Sequence, residues 1–322
     1  MRYVTIPGTD ITASVICMGG GPLCLEDNDK DVFALLDEFY ELGGNFIDSA
    51  NIYGKWLPSG RNVCDINIGG WLRARGLRNR IIVTSKGAHP PLSDMEKPRL
   101  RKEEVAADLE ESLIALGSGC IDLYYLHRDD PSIPVEYIVD YLCDFVREGK
   151  IRYFGVSNWT APRIRAAQDY AVSHGKQRIS ANQIMWSFAG PDMSKAELPM
   201  LVSMDAESAA YHAESGLTAI AYESQAHGFF QKYAAGGMAL MSTSMKDLYG
   251  SAENIRRYER AAALSAELGV SLTAVVLGYI LNQPFSSIGI IGGHTREQIA
   301  DSMAAADIKL TPGQIHYLET GV

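Results

Sequence analysis

Long apolar runs, patterned cysteines and clusters of basic residues are what this 322-residue chain has least of. No stretch approaches the ~18 consecutive apolar residues of a membrane-crossing helix, and the opening MRYVTIPGTD lacks the apolar core of a secretory leader. The five cysteines (Cys17, Cys24, Cys64, Cys120 and Cys143) are odd in number and follow neither CxxC nor Cys/His spacing. They exclude a disulfide framework and a zinc site, and imply reduced thiols in the cytoplasm. The formal net charge is −10 and the isoelectric point about 5.2, with no basic stripe, so neither nucleic acid nor a membrane surface is an expected partner. Internal repeats and low-complexity tracts are absent. The GxGxxG fingerprint of open dinucleotide-binding sheets is missing too: MGGGPLC, after the first strand pattern, does not fit it.

What is present is alternation. Eight β-rich runs, at 14–20, 45–50, 81–87, 121–127, 151–158, 179–187, 217–224 and 287–293, are separated by amphipathic helical runs, among them 101–117, with Val105, Leu109, Leu113 and Leu116 at nearly helical period. Another helical pattern runs over 197–216. Gly43, Gly76, Gly117, Gly149, Gly175 and Gly216 stand where helices need a C-terminal cap. Eight βα units spanning residues 1–322 without a composition break predict a single-domain closed parallel (β/α)8 barrel; a doubly wound open sheet is the competitor. Two extended runs around Pro7–Asp10 predict a β-hairpin ahead of the barrel, covering its floor. Residues 226–255 read as an unusually long loop after strand seven, and 310–322 as a tail beyond the last helix.

Barrel chemistry gathers at the carboxyl ends of the strands. Asp48 ends the second strand pattern, Lys86 the third and His127 the fourth, with Tyr53 in the turn after Asp48. Each alone has a plain explanation: a turn cap, a snorkelling lysine, a hydrogen-bonded core histidine, a loop aromatic. Together, on the inward phase of three adjacent strands, they form a constellation. A carbonyl reduced by hydride transfer needs a proton for the developing alkoxide. A tyrosine of ordinary pKa is a poor donor at neutral pH, and a buried ammonium beside it lowers that pKa. Asp48 then keeps Lys86 charged, and His127 orients the substrate oxygen.

The blocks GGNFIDSANIYG, TSKG, DLYYLHR, FGVSNW and NQIMWS resemble, in order and across residues 3–305, the signature blocks of the aldo-keto reductase superfamily. The resemblance implies a (β/α)8 oxidoreductase using NADP(H), or else NAD(H), on a small-molecule carbonyl or alcohol. It implies Tyr53 as general acid/base, Lys86 and Asp48 as its partners, and His127 as the carbonyl-orienting group. It assigns Ser157, Asn158 and Gln183 to the nicotinamide carboxamide and Trp186 to stacking on the ring. AYESQAHGFF resembles the pyrophosphate loop, which carries over Tyr222, Ser224, Gln225 and Gly228. IIGGHTREQIADS resembles the phosphate-binding end of strand eight, which carries over Gly292, Gly293, His294, Thr295, Gln298 and Ser302. Glu223 and Ser224 depart from the family pattern, and where the family often sets Lys or Arg against a 2′-phosphate only His294 and Arg296 are candidates, with Thr295 and the helix N-terminus as further donors, so the implied preference for NADP(H) is modest. Trp56, Arg61 and Asn62 beside Tyr53, and Arg128 and Trp159 at other strand ends, suit sugars, polyols or aromatic aldehydes. Two other readings compete: a cofactor-sensing regulatory or structural protein of the same fold, and a barrel lyase using Lys86 as a Schiff-base amine. The oligomeric state is open.

Overall fold

The computed structural model describes residues 1–322 apart from 197 and 199. Its strands are β1 (Tyr3–Thr5), β2 (Thr12–Ser14), β3 (Ile16–Gly19), β4 (Phe46–Asp48), β5 (Ile82–Gly87), β6 (Ile121–Leu126), β7 (Ile151–Ser157), β8 (Ala181–Met185), β9 (Thr218–Tyr222) and β10 (Ser287–Ile291). Strands β3 to β10 close in sequence order into a barrel, every pair parallel, with β10 returning to β3. β1 and β2 form the expected antiparallel hairpin. Its Ile6, Ile11 and Ala13 share an apolar cluster with the barrel-lining Cys17, Phe46, Leu123, Tyr125, Ala181, Ile220 and Ile288, so the hairpin plugs the floor.

The helices form the outer layer: α1 (Asp29–Glu41), α2 (Val63–Arg75), α3 (Lys102–Leu116), α4 (Val135–Arg147), α5 (Ala161–Ser173), α6 (Ala206–Ser215), α7 (Phe229–Gly236), α8 (Thr243–Tyr249), α9 (Ala252–Leu268), α10 (Leu272–Leu281), α11 (Arg296–Ala304) and α12 (Pro312–Thr320). In α3 the predicted stripe Val105, Leu109, Leu113 and Leu116 is buried, and Gly117 closes the helix at φ 63°, a conformation that costs glycine little.

Three expectations need correction. The stretch 226–255 is helical for most of its length, through α7, α8 and the start of α9, and α7 and α8 bury Phe229, Phe230, Met245 and Tyr249 in a second apolar cluster. Helices of eight and seven residues around Gly236 and Gly237 are too short to display a period. The helix expected over 197–216 is confined among the described residues to α6; Ser203 instead bridges Met185 at the end of β8, while residues 197 and 199 lie outside the description. The tail is helix α12, opened by a Thr311/Gln314 capping box with Pro312 in the first turn, a start signal present in the sequence.

Candidate active site

Asp48 is the last residue of β4, in register with Thr84 of β5, and Lys86 lies two residues further along the same inward face. Asp48 accepts hydrogen bonds from Thr84 Oγ1 at 2.8 Å, Gln183 Nε2 at 2.9 Å and Lys86 Nζ at 2.5 Å. Lys86 is fully buried and also donates to the Ser49 carbonyl at 2.7 Å. Burial opposes its charge, but the attraction of Asp48 and Tyr53 wins and raises its pKa, so the ammonium persists. Its Nζ lies 4.9 Å from the centroid of the Tyr53 ring. Tyr53 presents an edge to His127 at 5.8 Å and packs near Trp56 at 6.2 Å. Behind it is Gly20, where a Cβ would stand 2.8 Å from the Tyr53 ring and 2.7 Å from Cys64 Sγ. Only a glycine lets the chain pass there.

Lys86 pulls the Tyr53 pKa down, as the sequence predicts, but burial acts more strongly and the net shift is upward. The phenol is therefore held protonated at neutral pH. His127, one residue past β6, is pushed well below its ordinary range, first by burial and then by the charge of Arg128, so its imidazole is neutral. Its buried Nδ1 has no partner among the described residues. Sequence reading missed three contributors. Thr84 could have been found by period-two alternation from Lys86. His89, whose ring is 4.8 Å from that of His127 and whose pKa burial lowers to about 4, and Gly20 carry no local signal.

The residues assigned to a nicotinamide dinucleotide divide by what they already hold. Asn158 adopts φ +60°; its Nδ2 donates to the His127 carbonyl at 3.2 Å, and its Oδ1 accepts from Tyr222 Oη at 2.6 Å and Val202 N at 3.1 Å. Ser157, at the end of β7, is buried and accepts from Asn158 Nδ2 at 3.0 Å. Gln183 is committed to Asp48. Trp186 turns the other way. It shares a strand face with Asn182, whose side chain meets His212 of α6 at 3.1 Å. His212 stacks on Phe285, and Trp186 packs on that same Phe285 at 5.7 Å and on Tyr279 at 6.4 Å. At 7% exposure it shows the cleft no free ring, and core packing replaces the expected stacking. The half-buried Tyr222 is the aromatic that reaches the mouth.

Ser224 donates to the Ile290 carbonyl at 2.5 Å and Gln225 to Ser302 at 3.2 Å, which ties the β9 loop to β10 and α11. Glu223 turns away from the mouth to accept from Tyr249 at 2.7 Å and pair with His227 at 3.2 Å. Gly228, at φ +75°, begins α7 with no side chain capping the first N–H groups. At Gly293 a Cβ would meet Ile299 at 3.0 Å, and at the exposed Gly292 it would meet only Pro22, at 4.0 Å. Exposed His294 and Thr295 lead into α11, where Thr295 and Gln298 cap each other's segment. The starts of α7 and α11 thus follow the carboxyl ends of the neighbouring strands β9 and β10, with the β9 loop tied to α11 through Gln225 and Ser302, an arrangement that fits a pyrophosphate. Among the described residues no cluster could hold a metal ion, and no single helix is long and apolar enough to cross a membrane.

The family profile described as Aldo/keto reductase family matches residues 15–320. A probable aryl-alcohol dehydrogenase of Saccharomyces cerevisiae is 30% identical over 305 residues, covering 91% of this chain and 88% of that protein. An aryl-alcohol dehydrogenase [NADP(+)] of Phanerodontia chrysosporium is 28% identical, covering 98% and 84%. Among solved structures, a thermostable aldo-keto reductase crystallised with the inhibitor epalrestat superposes with a TM-score of 0.73 over 99% of both chains at 20% identity, a likeness of fold.

Proposed function

The chain belongs to the aldo/keto reductase family, oxidoreductases that act on carbonyls and alcohols and generally use NAD(P)H, and from that premise we propose that it interconverts aromatic aldehydes and aryl alcohols with Tyr53 as the proton donor and acceptor. The observation that carries this reading is the placement of the Lys86 ammonium between the Asp48 carboxylate at 2.5 Å and the Tyr53 ring at 4.9 Å. A nicotinamide held at this mouth would supply or take the hydride at the carbonyl carbon. Tyr53 gives its phenolic proton to the carbonyl oxygen, so hydride and proton together make the alcohol. Lys86 stabilises the phenolate left behind, and Asp48, with Thr84 and Gln183, keeps Lys86 in place. Neutral His127 donates a ring N–H to the same oxygen and orients it. The Ser157 hydroxyl, fixed by the committed amide of Asn158, offers a polar group to the carboxamide, Tyr222 an aromatic face, and the N-termini of α7 and α11 the donors for phosphate.

The aryl preference rests on the names of two relatives and on Trp56, 54% exposed beside Tyr53. A Schiff-base lyase is disfavoured, because Lys86 is held as a buried, charged ammonium with no lone pair to offer. The test is a screen of benzaldehydes, benzyl alcohols, sugars and polyols against both cofactors, followed at the nicotinamide absorbance, in wild type and Tyr53→Phe. Turnover on aryl substrates, falling ~10²-fold or more in the variant while cofactor affinity stays, is expected. Residual activity above about a tenth of wild type would remove Tyr53 from its role. Cofactor binding without turnover on any substrate would leave the sensing reading instead.

A further inference from the structure

Arg128 follows His127 directly, and its side chain is buried to 9% exposure. Nη1 donates to the His127 carbonyl at 2.8 Å, the carbonyl that also receives Asn158 Nδ2. Among the described residues this is the only hydrogen bond of the guanidinium, and its buried Nε has no partner among them. No carboxylate among them lies within ion-pair distance. The neighbouring acids are taken: Asp129 by Arg163 at 3.1 Å, Asp48 by Lys86, and Glu223 by Tyr249 and His227. A guanidinium does not shed its proton, and burying one without a counter-charge is expensive. The cavity of about 610 Å³ that Lys86 lines makes the contrast plain: its other two cations, Lys55 and Arg99, are paired with Glu111 at 2.6 Å and Asp108 at 2.9 Å.

The guanidinium lies against the backbone of His127, the residue next to it at the end of β6. Its field acts on Tyr53, Tyr222, His127 and His89. With His127 and His89 neutral and Lys86 balanced by Asp48, Arg128 leaves one uncompensated positive charge at the mouth of a chain whose net charge is −10. The phosphate candidates lie after β9 and β10, at the starts of α7 and α11, whereas Arg128 follows β6, three strands from β9 in the barrel order. The free cation is therefore placed for the substrate and not for the cofactor phosphates.

We propose that Arg128 anchors a carboxylate carried by the substrate, so that the enzyme favours carboxylated aryl aldehydes over uncharged ones. This rests on the reductase reading above. A guanidinium fork meets a carboxylate through charge-assisted hydrogen bonds, and one such bond is worth about a ten- to hundredfold preference. The probes are 2-, 3- and 4-carboxybenzaldehyde, each compared with its methyl ester, in wild type, Arg128→Gln and Arg128→Lys, with cofactor affinity titrated separately. In wild type at least one acid should exceed its ester in kcat/KM by that factor, chiefly through KM. Arg128→Gln should abolish the preference, Arg128→Lys should keep part of it, and the cofactor Kd should stay unchanged. No preference in wild type, an intact preference in Arg128→Gln, or a cofactor Kd that rises as much as KM would each overturn the proposal. If wild type reduces none of the aldehydes, the reductase reading falls. Calorimetric titration with benzoate then decides Arg128: binding lost in Arg128→Gln upholds the anion site, and equal or absent binding ends it.

Discussion

Two buried carboxylates, one gripped by a single cation and the other by two, sit at opposite ends of this barrel. At the amino end, Asp122 of β6 accepts from Arg78 at 2.9 Å, from Arg152 at 2.6 Å and from the Val83 backbone at 2.9 Å. Arg152 reaches on to Asp10 beside the hairpin at 2.5 Å, so this cluster ties the floor to the wall. At the carboxyl end, Asp48 is as thoroughly satisfied, by Lys86, Thr84 and Gln183. What differs is the surroundings. Among the described residues none of the floor cluster's side chains leaves a buried polar atom without a partner, whereas Ser49, Tyr125, His127, Arg128 and Trp159, all at or just beyond the ends of β4, β6 and β7, do. A buried ion pair alone marks no function. Unused donors and acceptors gathered around one do.

The strongest way to break this comparison is to remove one member of the ion pair at each end. Lys86→Met should lower kcat ~10²-fold or more and raise the apparent pKa of the residual activity, because Lys86 is the main charge opposing the upward pull of burial on Tyr53. An unchanged pH–rate profile would show that Lys86 does not tune the phenol. At the floor, Asp122→Asn should cost about 3 kcal/mol in urea unfolding, at the low end for a broken buried pair because Arg78 and Arg152 are 31% and 39% exposed. Its kcat/KM per folded molecule should match wild type. A fall of more than about threefold would mean the two ends are coupled.

The barrel and the Asp48, Lys86, His127 and Tyr53 set were legible because period-two alternation and strand ends are local patterns. Arg128 was visible only as a residue near a strand end, since the decisive property is the partner it lacks, and that depends on which acids Arg163, Lys86, Tyr249 and His227 have already claimed. Trp186 was misdirected because NQIMWS does not reveal that Asn182, and hence Trp186, faces His212 and Phe285 in the helical layer. The sign of the Tyr53 shift was misread for a related reason: a neighbouring ammonium can be inferred from sequence, but the depth of burial cannot. Helix α9 went unseen because its buried residues, Asn254, Ala261 and Leu264, are too few and too small to mark a stripe.

Asp65 sharpens the comparison with a third buried carboxylate, one held by no cation among the described residues. It sits in α2 against Ser85 Oγ at 3.3 Å and Asn62 Nδ2 at 3.3 Å. Burial raises its pKa from 3.8 to about 6. The folded protein thus holds this proton more tightly than the unfolded chain does, so the group's contribution to stability declines as pH rises from about 4 to about 6 and stays lost above that. Asp65→Asn should remove the decline, and at neutral pH it should stabilise the fold by roughly 2 kcal/mol, since the serine hydroxyls around it can turn to accept from the amide. The measurement is the difference in urea midpoint between variant and wild type at pH 4, 5, 6 and 7. A difference that does not grow with pH would mean Asp65 finds a cation that relieves it.

The smallest expected effect is at the outer rim, where Arg296 is the cation nearest the start of α11. In the sequence it competes with His294 and Thr295 for a 2′-phosphate. In the structure its Nε and Nη2 both engage Glu38 of α1 at 2.5 Å, so the guanidinium is already spent. We expect NADP(H) to bind ten- to hundredfold more tightly than NAD(H), the worth of one charge-assisted hydrogen bond from His294 or Thr295 with help from the helix N-terminus. Arg296→Ala should then change the ratio of the two dissociation constants by less than about threefold at fixed salt. Glu38→Gln should raise the preference for NADP(H), because it frees the guanidinium and removes a carboxylate that would repel the phosphate. Tighter NAD(H) than NADP(H) in wild type would sink the preference itself. A tenfold loss of NADP(H) affinity in Arg296→Ala would show that Arg296 leaves Glu38 for the phosphate, which would make this rim pair resemble the unspent cation of the mouth more than the satisfied cluster of the floor.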